Sequence, residues 1–223
     1  MARGRTQRAA TVGVAEHGNS AVLVTVAPDG ELLDRRRIDL TDGGLLTHPH
    51  HHEGSWAVGR YLGTPGARVL SLADAVALVE RVRAAAGRGA RDSLAALAGA
   101  VPTPIARIAL RACPELPPTI EARIADNRAQ TVADSVMYRQ AIATAAAARG
   151  WSVRWYDRAR VFRDAAAALG RDDIEAVLQE MGRALGPPWQ AIHKLAAAAA
   201  LAATPRPASR FARAPASRSS RRR

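Results

Sequence analysis

Four histidines and a carboxylate crowd into six consecutive positions: His48, His50, His51 and His52, followed by Glu53. Neutral imidazole is a good ligand for Zn²⁺, Ni²⁺ or Cu²⁺. His50 and His52 are therefore candidate metal ligands, and convergence of His50, His51 and His52 on Glu53 would make a metal-handling protein, with zinc the natural ion. Pro49 argues against the helical i, i+4 pair that would make the strongest such site. Two other uses stay open for the same residues. Imidazoles titrate near neutrality, which suits a pH-dependent loop, and a long loop beside a sheet can act as a flap that touches phosphate. An ordinary solvated loop is the plain alternative.

A second chemistry lies in the arginines. The 223-residue chain has 32 Lys and Arg against 20 Asp and Glu, a formal charge of +12. Most of that excess sits at the ends. Arg3, Arg5 and Arg8 precede any acid, and seven more arginines lie between positions 205 and 223, also without an acid. The body between them is close to neutral. Basic segments attract DNA or RNA by releasing the counterions of phosphates, so Arg206, Arg210, Arg213 and Arg221 are candidate nucleic-acid contacts. A Pro, Ala, Ser and Arg composition buries too little apolar surface to offset its ordering entropy. Residues 1–10 and 205–223 are thus expected to be disordered, flanking a domain at 11–204. The oligomeric state is left open.

With Cys113 as the single cysteine, an intrachain disulfide and a cysteine-based zinc finger are both excluded, and a reducing compartment is the natural setting. The longest apolar run, Leu195–Ala203, is about half of what a membrane helix needs. No secretory segment is apparent after the first arginines, and a cytoplasmic location is expected.

The elements that would position these groups follow from patterning. Residues 11–16, 21–28 and 31–40 read as three strands of an antiparallel meander, the second and third joined by a tight reversal at Pro28-Asp29-Gly30. A helix starts at Ser71, which can cap it with Asp74 in the first turn. Gly87 and Gly89 should interrupt it before a second piece at 91–99. Ile105–Ala112 and Trp151–Tyr156 read as buried strands. Between them a long helix runs from Thr119 to Ala148 and is closed by Gly150. It carries Arg123, Asp126, Gln130, Asp134, Tyr138 and Arg139 as a polar face for solvent, a phosphate backbone or a partner. Asp157 should cap a helix at 158–169, Asp172 a helix at 173–185, and a last helix spans 189–203. Trp151, Trp155 and Trp189 read as core packing, since no basic groove can be drawn around them from sequence. A meander followed by alternating β and α elements implies an α/β fold, a mixed sheet with helices on both faces.

That order resembles the ribonuclease H-like superfamily, in particular nucleases of the Holliday-junction-resolvase type. In that family the first strand ends in an acid followed by a glycine. Here Glu16-His17-Gly18-Asn19-Ser20 takes that place, with Glu where the family has Asp. The resemblance implies metal-dependent phosphodiester hydrolysis by carboxylates that hold Mg²⁺ or Mn²⁺. Glu16 would be the first ligand, Glu115, just past strand 105–112, the second, and the last helix would contribute the rest. That helix offers Gln190, His193 and Lys194 where the family carries acids, so His193 becomes the third catalytic and metal-binding candidate. Lys194 would stand for the cation itself in a protein that binds without cutting. A nuclease and a catalytically silent interaction module of the same fold are the two readings this leaves.

Overall fold

The computed structural model describes residues 9–50 and 70–205. Apart from residues 9, 10 and 205, the two ends expected to be disordered lie outside the described residues. So do His51, His52, Glu53, Arg206, Arg210, Arg213 and Arg221.

Three strands open the chain: β1 (Ala10–His17), β2 (Ser20–Val26) and β3 (Leu32–Asp39). β1 therefore begins inside the segment expected to be disordered. Gly18 and Gly30 make the two reversals with positive φ, 57° and 92°, the region where a side chain is penalised. The Asp29 carboxylate accepts the Glu31 N–H across the second turn at 3.2 Å. β2 pairs antiparallel with both β1 and β3. β4 (Ile105–Arg111) then adds in parallel to β1, and β5 (Ser152–Tyr156) in parallel to β4. The order across the five-stranded sheet is β3-β2-β1-β4-β5.

Helices cover both faces. On one lie α1 (Leu72–Ala100), α2 (Ile120–Ala125) and α3 (Asn127–Ala148), whose apolar sides bury Val12, Val14, Leu23, Ile38, Ile108 and Leu110. On the other lie α4 (Val161–Leu169), α5 (Ile174–Leu185) and α6 (Ala191–Ala203), packed on Ala15, Val22, Val24, Val26 and Ala109. Alternation along β1 sends even-numbered side chains to the first layer and odd-numbered ones to the second.

Several boundaries differ from the sequence-based expectation for identifiable reasons. Ser71 does cap α1, its hydroxyl accepting the Asp74 N–H at 3.1 Å, but α1 is not interrupted at Gly87 or Gly89. Gly89 is there for proximity, since a Cβ would meet the Leu40 carbonyl oxygen at 2.4 Å. The helix expected at 119–148 is two helices, broken at Asp126, whose carboxylate takes the Arg128 and Ala129 N–H groups at 2.7 and 2.9 Å and so starts α3 afresh. Asp157 caps a single turn ahead of α4, and Asp173, rather than Asp172, caps α5 by accepting the Ala176 N–H at 2.9 Å. Among the described residues no helix is long and apolar enough to cross a membrane.

Candidate functional site

Where β1 and β4 end, four charged or hydroxyl-bearing side chains from distant parts of the chain meet. Glu16 is the last but one residue of β1, and its side chain is only 4% exposed. One carboxylate oxygen lies 2.8 Å from the Arg111 guanidinium at the end of β4 and 3.2 Å from the Arg139 Nε on α3. Arg139 is itself buried. Its Nη1 donates to the carbonyls of Arg111 and Ala112 at 3.2 and 2.6 Å, its Nε to the Ser135 carbonyl at 3.1 Å, and its Nη2 to the Ser135 hydroxyl at 3.0 Å. A guanidinium offers five donors in a fixed plane and keeps its charge when buried. Here those donors tie α3 to the end of β4 and neutralise Glu16 together with Arg111. Burial draws the Arg139 guanidinium below its ordinary value, Glu16 pulls it back up, and Arg111 acts with the burial. Tyr156 closes the other side. Its hydroxyl donates to the Val14 carbonyl at 2.9 Å, and burial first, then the Glu16 charge, raises its pKa. Burial is also the main reason the half-buried Cys113 thiol is pushed up.

One helical turn earlier, α3 holds the histidine loop. Asp134 accepts both the His50 backbone N–H, at 3.1 Å, and the His50 ring Nδ1, at 2.6 Å, and the two side chains are 4% and 1% exposed. Tyr138 donates its hydroxyl to the Thr47 carbonyl at 2.9 Å. Burial and the neighbouring Asp134 raise its pKa. The segment that follows β3 is thus fastened to α3 at two points one turn apart, beside the β1–β2 reversal, where Thr47 would lie 3.1 Å from a Cβ at Gly18.

The sequence candidates separate at this point. Glu16 lies on the α3 side of the sheet, with Val12 and Val14. His193 lies on the opposite layer, at the start of α6, where its Nδ1 accepts the Gln190 N–H at 3.1 Å and its ring stacks on Trp189 at 5.9 Å between centroids. Burial, assisted by the Arg35 charge, lowers the His193 pKa. Glu115 is exposed in the loop beyond β4. Lys194 does not enter the space near Glu16; it pairs with Glu175 on α5. Among the described residues no three His, Cys, Asp or Glu side chains are placed to share a metal ion. Glu16, Glu115 and His193 therefore do not assemble into the Mg²⁺ or Mn²⁺ site that the resemblance implied. The donor set does not fit: one carboxylate is ion-paired with two arginines through Oε1, one is exposed in a loop, and the imidazole is across the sheet. For the histidine loop, His50 has committed Nδ1 to Asp134, while its partners in a zinc reading, His51, His52 and Glu53, lie outside the described residues.

Sequence reasoning missed Arg111 and Arg139 as the partners of Glu16, and Asp134 as the partner of His50. A signal for the helix was present. Asp134, Tyr138 and Ile142 recur at four-residue intervals, which puts the two polar groups on the apolar stripe and not on a solvated face. Gln130, Asp134, Tyr138 and Arg139 are accordingly all buried.

A three-strand antiparallel meander whose first strand is extended by two parallel strands, with helices on both faces, settles the architecture. It is an α/β fold with a mixed five-stranded sheet. Among solved structures, this chain is similar to Thermus thermophilus RuvC in complex with a Holliday junction substrate, at 13% identity over 87% of this chain and 91% of that one, with a TM-score of 0.45. It is also similar to a second Thermus thermophilus RuvC structure, at 12% identity over 86% and 92% of the two chains, with a TM-score of 0.40. No family model and no curated protein sequence matches the chain.

Proposed function

We propose that this ribonuclease H-like protein binds nucleic acid and does not cleave it. The observation that carries the reading is the closure of Glu16 by Arg111 and Arg139. A carboxylate at the end of the first strand could ligate a divalent cation only if it were free to do so, and two guanidinium groups already supply the compensating charge. Breaking that arrangement to admit a metal would leave Arg139 buried without its counter-charge, a change on the order of several kcal/mol. Attraction to phosphate comes from arginines elsewhere, including Arg206, Arg210, Arg213 and Arg221 in the basic terminal sequence, whose effect would be independent of base sequence and steeply salt-dependent.

The test is to incubate the full-length chain and its Glu16→Gln variant with single-stranded and branched DNA and RNA, with Mg²⁺ or Mn²⁺, while following mobility shift and cleavage on the same samples. Shifted, intact substrate with both proteins is the expected result. Metal-dependent cleavage that disappears in Glu16→Gln would overturn the silent reading, and no shift at about 0.15 M salt would overturn the binding one. Removing residues 206–223 should weaken binding to every substrate alike and flatten its dependence on salt.

A further inference from the structure

Gly87 occupies the middle of α1, where glycine costs more than any residue but proline. Unlike Gly89, it is not required by a close approach. A Cβ there would meet only the Arg91 guanidinium, at an ordinary 3.6 Å. What Gly87 does is open a cleft. A groove of about 380 Å³ runs between α1 and α3, with Gly87 on one wall and Ala141 and Ala145 on the other, a volume near the lower end of the range for small-molecule sites. Arg83, Gly87 and Arg91 recur every four residues and so share one face of α1, which puts a guanidinium on each side of the gap. Arg91 has no ion-pair partner among the described residues, and Arg83 reaches only Glu80, at 4.0 Å. From α3, Gln140 and Thr144 add an amide and a hydroxyl and Met137 a thioether, and none of the described lining residues is acidic.

We propose that this groove binds a nucleoside phosphate, either free in solution or as one residue of a strand. A guanidinium takes a phosphate bidentately, and Arg91, lying over Gly87, is placed to do so inside the cleft. Small side chains and a polarizable thioether accept a flat ring, while Gln140 and Thr144 supply donors and acceptors for its edge. The other occupant of such a cleft is a second copy of the chain, and charge disfavours it. A two-fold contact through this face would set the arginines of both copies against each other. The groove shares no residue with the Glu16 network, and the proposal stands whether or not the terminal arginines hold DNA or RNA.

The experiment is calorimetric titration of the full-length chain and of Gly87→Leu, Arg91→Gln and Arg154→Gln with AMP, GMP, CMP and UMP, beside adenosine and inorganic phosphate. Wild type should bind at least one mononucleotide, and more tightly than adenosine or phosphate alone. Gly87→Leu should abolish that binding without lowering the thermal midpoint, because leucine favours helix more than glycine does; a filled groove is thereby told from a misfolded domain. Arg91→Gln should weaken binding about tenfold, the scale of one charge-assisted hydrogen bond, and Arg154→Gln, on β5, should leave it unchanged. Anisotropy of labelled oligo(dT) separates the two sources. Affinity lost in Gly87→Leu assigns the groove to a residue of a strand, and affinity retained assigns it to a free nucleotide. No binding of any mononucleotide, or binding that Gly87→Leu and Arg91→Gln both leave intact, would overturn the site while leaving the nucleic-acid reading standing. Dimerisation of the wild type that Gly87→Leu abolishes would overturn it in favour of a second copy.

Discussion

The two faces of the sheet are built on opposite principles. Against one face α6 lays a run of fully buried alanines, Ala196 to Ala200, directly on the strands. The approach is so close that a Cβ at Gly13 would fall 1.9 Å from the Ala196 carbonyl oxygen. Against the other face, α1 and α3 pack on Leu, Ile and Val, and at its end α3 brings together Glu16, Arg139, Asp134, His50 and Tyr138. One layer depends on the absence of side chain, and the other on a few buried charged and polar groups held by one another. Damage to the first is steric, while damage to the second is electrostatic and carried by few atoms.

The contrast is sharpest in its response to substitution. Arg139→Met should be the most harmful change, because it keeps bulk but leaves Glu16 buried with Arg111 alone; removing one partner of a buried pair costs about 3–5 kcal/mol, read from urea denaturation midpoints. Adding Glu16→Gln to it should restore part of that loss, and a double variant no more stable than Arg139→Met alone would show that the ion pair is not the reason. Gly13→Ala comes next, at about 3 kcal/mol from overpacking against backbone that cannot rotate away. If Gly13→Ala is tolerated, α6 does not sit as close as described. Asp134→Ala should cost about 1–3 kcal/mol, the price of leaving His50 without its acceptor, and should speed amide exchange at residues 47–50 more than in α6. Acid should act most gently, through His193 on the alanine layer. Its folded pKa is lowered, so the native state holds fewer protons than the unfolded one; the stability this gives is complete above the ordinary imidazole value near 6.5 and declines as pH falls below it. Protonation at Nδ1 also removes the acceptor for the Gln190 N–H. His193→Gln should flatten the dependence between pH 7 and 5, measured as thermal midpoint against pH.

The elements of both layers were largely legible in the sequence, and the contacts among the charged groups were not. Strand alternation, the Gly30 reversal and the Ser71 cap are local signals, and the order of elements carried the mixed sheet with helices on both faces. Gly87 and Gly89 misled because glycine lowers helix propensity, yet the reason for Gly89 is a contact with Leu40, which no local rule contains. Likewise the acids of the candidate site could be found by position, but their partners could not. Arg111 and Arg139 are 95 and 123 residues from Glu16, and nothing in a single sequence says which guanidinium turns toward which carboxylate. Strand parity was available, since Glu16 shares a face with Val12 and Val14, but that α6 covers the other face is given only by the fold.

The position of α6 imposes an order on assembly. It covers β1 and β2, the first strands of the chain, yet every other described element is synthesised before it. Arg35 on β3 also waits for the carbonyls of Gly186 and Pro188, some 150 residues later, to which it donates at 2.9 and 2.5 Å. A chain emerging from the ribosome would therefore carry a bare apolar face on its opening hairpin until nearly the whole domain had been translated. Such long-range closure slows folding and leaves sticky strands open to aggregation in the meantime, which makes the late helix the step at which a chaperone would matter most.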